Sequence, residues 1–257
     1  MKRARASTTR AAIRLRCATT GVGDDLRLIE LETHRPPQQA LILREFEPER
    51  RKHVLIMIDA GRMMTNRIGN LSRLDYAVNT AVHLARVCLE KGDRVGVLGF
   101  GQEVRVYLPP RSGKSHLARV VTELSGLRTE PYESDYVRAF DYFTQQNHRR
   151  TLVFLFTEVL DAESSRILLS RLRRLVPQHL PCCVTIQDSD LAAAARRFPE
   201  TAADVYRQVV AADLITEKKK TLGILARSGA SVVHVPADQL CLATLSRYLE
   251  IKRRGIL

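Results

Sequence analysis

From about residue 40 onward, short β-rich runs alternate with stretches of helical period, and this alternation confines the chain to crossover units laid on a mostly parallel sheet. The β-rich runs fall at 40–46, 54–58, 94–100, 150–156, 182–186 and 231–235, and 103–107 can return antiparallel to 94–100 through a turn near Gly101. Helical patterns fall at 72–91, 114–124, 136–145, 162–175, between 189 and 227, and at 238–252. In the first of them Leu74, Ala77, Val78, Ala81, Leu84, Ala85 and Cys88 recur along one helix face. Ser72, with Asp75 three positions on, starts that helix as a capping box, and Gly92 stops it. The run 150–156 is almost continuously apolar, as a strand covered on both faces must be. The expected fold is therefore α/β: a three-layer sandwich of Rossmann type, with helices on both faces of the sheet.

A length of 257 residues with 45% hydrophobic content is enough to bury one sizeable core, so a single main domain is expected. Forty-one Lys and Arg against 28 Asp and Glu leave a net charge of +13, which favours acidic partners. No nucleic-acid module accompanies that charge, and 5% aromatic content offers few stacking platforms, so nucleic acid is not an expected partner. The five cysteines show neither CxxC nor Cys/His spacing, which removes a zinc site or disulfide framework and fits a reduced, cytoplasmic setting. Cys182 and Cys183 would point to opposite faces of one strand as small buried residues. No apolar run approaches the roughly 20 residues a membrane span requires. Residues 1–22 carry Lys2, Arg3, Arg5, Arg10, Arg14 and Arg16 without an acid, the composition of a disordered basic arm. Peripheral contact with a membrane surface through that arm is an alternative role.

Catalytic spacings are absent. Arg111-Ser112-Gly113-Lys114-Ser115 imitates the end of a phosphate-binding loop, but Leu108 stands where that loop needs its first glycine, and Pro109 and Pro110 follow. A Pro-rich loop entering a helix capped by Ser112 or Ser115 is the expected structure. Neither a nucleophile elbow nor a His-Glu-x-x-His pair occurs, and the histidines are scattered, so the protein is expected not to be an enzyme. The informative residue is Asp59, delivered by the apolar run 54–58 to the edge of a parallel sheet where ligands gather. Three loops open on that edge, carrying Asp59, Glu133-Ser134-Asp135 and Thr157-Glu158. Their oxygens would suit Mg²⁺, although Asp after a strand and Ser before a helix also occur as plain caps.

These segments resemble a von Willebrand factor A domain, and more closely the bacterial branch called domain of unknown function 58. The likeness runs over about 23–257. It rests on Gly23-Asp24-Asp25-Leu26-Arg27, Leu43-Arg44-Glu45-Phe46-Glu47-Pro48-Glu49-Arg50, Ile58-Asp59-Ala60-Gly61-Arg62-Met63-Met64 and Lys91-Gly92-Asp93-Arg94-Val95-Gly96-Val97. Glu133-Ser134-Asp135-Tyr136, Phe156-Thr157-Glu158 and Arg247-Tyr248-Leu249-Glu250-Ile251-Lys252 continue it. The resemblance divides the chain into the arm at 1–22, a family segment with one strand at 23–52, and the A-like domain at 53–257. It also implies a shortened or diverged N-terminus, since similar proteins begin with membrane-spanning helices.

Metal-binding members of the superfamily use Asp-x-Ser-x-Ser, a Thr from a second loop and an Asp from a third. Asp59, Ser134 and Glu158 stand at the Asp, Thr and last Asp positions, while Gly61 and Met63 replace the serines. Glycine offers no side-chain oxygen, and a thioether is too soft for Mg²⁺. A degenerate metal-ion-dependent adhesion site without a resident cofactor follows. Arg62 is expected to pair with Asp59 or Glu158 and hold the loops in the ion's place. The function implied is a protein-interaction module whose strand-end loops, with Asp59, Gly61, Arg62, Met63, Ser134, Asp135 and Glu158, contact a MoxR-type AAA+ ATPase in chaperone-like assembly or maturation. The alternatives are a Mg²⁺-dependent adhesion module and a basic nucleic-acid binder.

Overall fold

A computed structural model describes residues 51–255 apart from 161, 163 and 164, together with two short strands of the N-terminal region. The chain divides into two units, 1–51 and 52–257. In the first, β1 (Arg14–Leu15) and β2 (Arg44–Glu45) pair antiparallel, Arg14 facing Glu45 and Leu15 facing Arg44. Arg44 and Glu45 belong to the strand expected at 40–46; the rest of that strand, and the remainder of the basic arm and the family segment up to residue 50, lie outside the described residues.

The second unit begins with β3 (His53–Asp59), a small hairpin of β4 (Arg67–Ile68) and β5 (Leu71–Ser72), and α1 (Arg73–Glu90). It continues through β6 (Arg94–Phe100), β7 (Val104–Arg111), α2 (Lys114–Ser125), α3 (Tyr136–Gln146), β8 (Leu152–Phe156), α4 (Arg166–Leu175) and β9 (Leu180–Gln187). α5 (Ser189–Arg196), α6 (Ala202–Arg227), β10 (Ser231–Pro236) and α7 (Leu240–Arg253) complete it. The strands form one sheet in the order β10-β9-β8-β3-β6-β7, parallel except for β7.

Period-two alternation along β3 creates the three layers. Val54, Ile56 and Ile58 face a core closed by α1, α2 and α7, whereas Leu55 and Met57 face a second core closed by α3, α4 and α6. Cys182 joins the first core and Cys183 the second, as adjacent residues on one strand must. Burial pushes both thiols up, Cys182 to about 12, so neither is poised as a nucleophile. The capping box of α1 forms as expected: Ser72 accepts from the Asp75 N–H, and the Asp75 carboxylate accepts in return from the Ser72 N–H at 2.8 Å. Gly92 ends the connection with φ +80°, a conformation glycine adopts without strain.

Two expectations need correction. The Pro-rich loop is part of β7, which continues through Pro109 and Pro110 to Arg111. β7 is an edge strand, so an N–H missing on its open side breaks no ladder. Neither Ser112 nor Ser115 caps α2; the cap position is Gly113 at φ +106°, with no side-chain hydrogen bond.

At the N-terminal edge of the sheet, the fully buried carboxylate of Asp93 fastens α7. It accepts from the Tyr248 hydroxyl at 2.6 Å, the Lys252 ammonium at 2.9 Å and the Lys52 N–H at 3.0 Å. The family-like segments around Asp93 and Tyr248 are thus one contact.

Leu84 is fully buried between α1 and the sheet, so Leu84→Ala should cost about 2–5 kcal/mol through lost transfer energy and the cavity left behind. A lowered urea midpoint at unchanged slope would register it.

Candidate functional site

The chain runs from β3 to β6 on one side and returns to β8 on the other, so the sheet's switch point lies between the C-terminal ends of β3 and β8. β3 ends at Asp59, and Thr157-Glu158 follow β8. The 130–136 segment is stitched across this edge by backbone bonds from Glu130 N–H to Ala60 O at 2.7 Å, Arg62 N–H to Tyr132 O at 2.8 Å and Asp135 N–H to Gly101 O at 2.9 Å.

Asp59 is buried, and both of its oxygens are occupied by donors. Oδ1 accepts from the Gly61 N–H at 2.8 Å and from the Ser134 hydroxyl. Oδ2 accepts from the Thr157 hydroxyl at 2.6 Å and the Tyr136 hydroxyl at 2.8 Å. An ionised carboxylate away from water is tolerated only when its lone pairs are met, and charge-assisted bonds of this kind are the strong ones. Burial first, and the Asp59 charge second, push the Tyr136 phenol well above its ordinary range, so it remains a donor. Its ring is held edge-on against Phe100, with centroids 5.8 Å apart.

Glu158 forms a separate, charged cluster on the same edge. Its carboxylate accepts from the Arg73 guanidinium and the Lys218 ammonium, both largely buried. Arg73 also reaches Asp188 at 2.8 Å, and Lys218 donates to the carbonyl of Ile186 at 3.0 Å. Asp188 caps α5, accepting from the N–H groups of Asp190 at 3.1 Å and Leu191 at 3.0 Å. Arg73 is the first residue of α1, where the helix dipole disfavours a cation, and the two carboxylates offset that.

Among the residues singled out from sequence, Asp59, Gly61 and Ser134 meet directly. Glu158 lies on the same edge but bonds to its own cations. Asp135 caps α3, accepting from the Arg138 N–H at 2.9 Å. Met63 is partly exposed beside buried Met64. Arg62 departs from expectation: its guanidinium bonds Glu133 at 2.6 Å in an exposed pair, because Glu158 is already held by Arg73 and Lys218 and Asp59 by neutral donors. A Cβ on Gly61 would collide with the Ser134 hydroxyl and lie 3.1 Å from the Ser134 nitrogen, so Ser134 takes the space a serine at 61 would need.

Sequence reasoning placed Thr157 on the same edge as Asp59, and missed the roles of Tyr136, Arg73, Lys218 and Asp188. One signal was available for Arg73, since a cation at the first position of a helix calls for a compensating charge. Lys218 sits in the run Lys218-Lys219-Lys220, which reads as a solvated face.

A cleft of about 240 Å³ opens over Asp59, Gly61, Ser134 and Tyr136, rimmed by Arg62, Met63, Glu133, Leu160 and Ile167. It shares Met63, Glu158 and Leu160 with a groove of about 540 Å³ running between α5, α6 and β10. In that groove burial, followed by the Lys218 charge, lowers His234 to about 4, so its imidazole is neutral at ordinary pH. Asp59→Asn keeps the shape but loses the charge and turns one acceptor into a donor facing two others. It should cost about 1.5–3 kcal/mol in chemical denaturation, against about 1 kcal/mol for Tyr136→Phe. Equal, negligible costs would mean the carboxylate does not hold the edge.

Comparison with curated proteins found no match. Among solved structures, the fold is similar to BatB, a conserved hypothetical protein from Bacteroides thetaiotaomicron. The TM-score is 0.51 at 11% identity, covering 79% of this chain and 99% of that one. It is similar also to the PilB minor pilin from Streptococcus sanguinis, with TM-score 0.50, 9% identity and 86% of this chain covered; the chain spans 66% of the pilin's length. The VWA domain of SpRpn10 aligns with TM-score 0.45 at 12% identity, over 77% of this chain and 94% of that one. The family model described as protein of unknown function DUF58 matches residues 20–193, more than half of the sequence, and this chain, with its three-layer α/β fold, belongs to that family.

Proposed function

We propose that this protein is a non-enzymatic protein-interaction module that meets its partner with the loops at the C-terminal edge of the sheet. The observation that carries the reading is the state of Asp59. A carboxylate whose two oxygens accept from four protein donors is a clamp on three loops rather than a free base or nucleophile. What the clamp presents outward is a mixed surface: the exposed Arg62–Glu133 pair, Met63, and the apolar side chains of Leu160 and Ile167. An apolar centre with an arginine at its rim is the composition of a contact patch.

The metal-ion-dependent adhesion site of the fold is, in this reading, degenerate. Mg²⁺ takes hard oxygen ligands in near-octahedral geometry. The residues present do not fit it: the Asp59 lone pairs are taken, Glu158 carries two cations, and Gly61 and Met63 supply no hard side-chain oxygen. The partner we propose, by family resemblance, is a MoxR-type AAA+ ATPase, the pair acting in chaperone-like assembly or maturation of other proteins. A cytoplasmic setting belongs to the same reading. It is supported by the unpaired thiols of Cys88, Cys182, Cys183 and Cys241, and among the described residues no helix is long and apolar enough to cross a membrane.

Binding of the purified protein to a purified MoxR-type ATPase tests this. Arg62 and Ile167 are exposed, and the Arg62 ion pair lies at the surface, so Arg62→Ala/Ile167→Asp should fold normally and bind about tenfold or more weakly. Unchanged affinity would reject the strand-end edge as the contact, and no binding by the wild type would reject the ATPase.

A further inference from the structure

We infer that Lys218, together with Arg73, is the resident cation of the strand-end edge: the two side chains neutralise Glu158 and set the surrounding elements without a divalent ion. The inference rests on the reading of the metal site as degenerate and adds what stands in its place. Glu158 is 7% exposed, and an ionised carboxylate at that depth requires positive charge close by. The chain supplies it twice, from the first residue of α1 and from the middle of α6.

The charges of the cluster are met within the chain, while the buried Nε of Arg73 has no hydrogen-bond partner among the described residues. Arg73 and Lys218 balance Glu158 and Asp188, leaving no net charge, and each carboxylate is met by protein donors. A Mg²⁺ brought to Glu158 would face two fixed cations at contact range and would have to displace one of them. Burial pulls the Lys218 ammonium below the ordinary lysine range, and the Glu158 carboxylate opposes that pull. Through these bonds α1, α5 and α6 are all fastened to the ends of β8 and β9, the elements that flank the Asp59 clamp.

Thermal melts followed by circular dichroism, in EDTA and in millimolar Mg²⁺, test the assignment on wild type, Lys218→Met and Lys218→Met/Glu158→Gln. The wild type should melt at one temperature in both buffers. Lys218→Met, which strands a buried charge, should melt about 5 °C or more lower. The double variant, which removes both charges, should regain most of that loss. If Lys218→Met does not fold, a cooperative melt of the double variant supports the assignment, and failure of both contradicts it. A single variant as stable as wild type, or a double variant no better than the single, overturns the resident cation while leaving the degenerate site intact. A wild type whose melting point rises with Mg²⁺ overturns the degenerate-site reading itself.

Discussion

One buried carboxylate organises the functional edge of this protein. Asp59 sits where the central strand of the sheet ends, and its charge is stabilised by donors from its own turn, from the loop before α3 and from the end of β8. Buried polar groups need partners, and the three loops bring theirs to one place. A charged acceptor at their meeting point gives all three the same destination. With its lone pairs engaged, Asp59 contributes rigidity to that edge.

Beside this clamp lies a different solution to the same electrostatic demand. Glu158 is buried too, yet it is met chiefly by cations. Buried ion pairs of this kind are weak evidence for stability, because desolvation offsets much of the attraction, but breaking one leaves a charge stranded. The Arg73–Glu158–Lys218 cluster accordingly acts as a registry device between helices and sheet. Its position next to the cleft and groove links the packing of α1 and α6 to the shape of both.

The architecture was legible because it depends on local patterns. The continuous apolar run at 54–58 and the helical period of 72–91 each report a burial pattern, and Ser72, Asp75 and Gly92 mark boundaries through their own backbone chemistry. The prolines of β7 misled because Pro109 and Pro110 signal a loop unless the strand is known to lie at an edge, which is a property of the whole sheet. At the site, Asp59 and Ser134 were readable from the spacing of a familiar pattern. Arg73 and Lys218 were not, since they lie 85 and 60 residues from Glu158 and only tertiary folding brings them there. Arg62 was assigned the role that Arg73 fills: sequence shows that a cation is wanted near the carboxylates but not which arginine has the reach.

The central claim is that hydrogen bonds and protein cations, rather than a metal ion, hold the strand-end loops. A high-resolution crystal structure grown in millimolar Mg²⁺ tests it most directly. The account predicts the Tyr136 and Thr157 hydroxyls on Asp59, and the Lys218 ammonium on Glu158, as in the structure described above. An octahedral ion about 2.1 Å from an oxygen of Asp59 or Glu158, with Lys218 turned away, would contradict it.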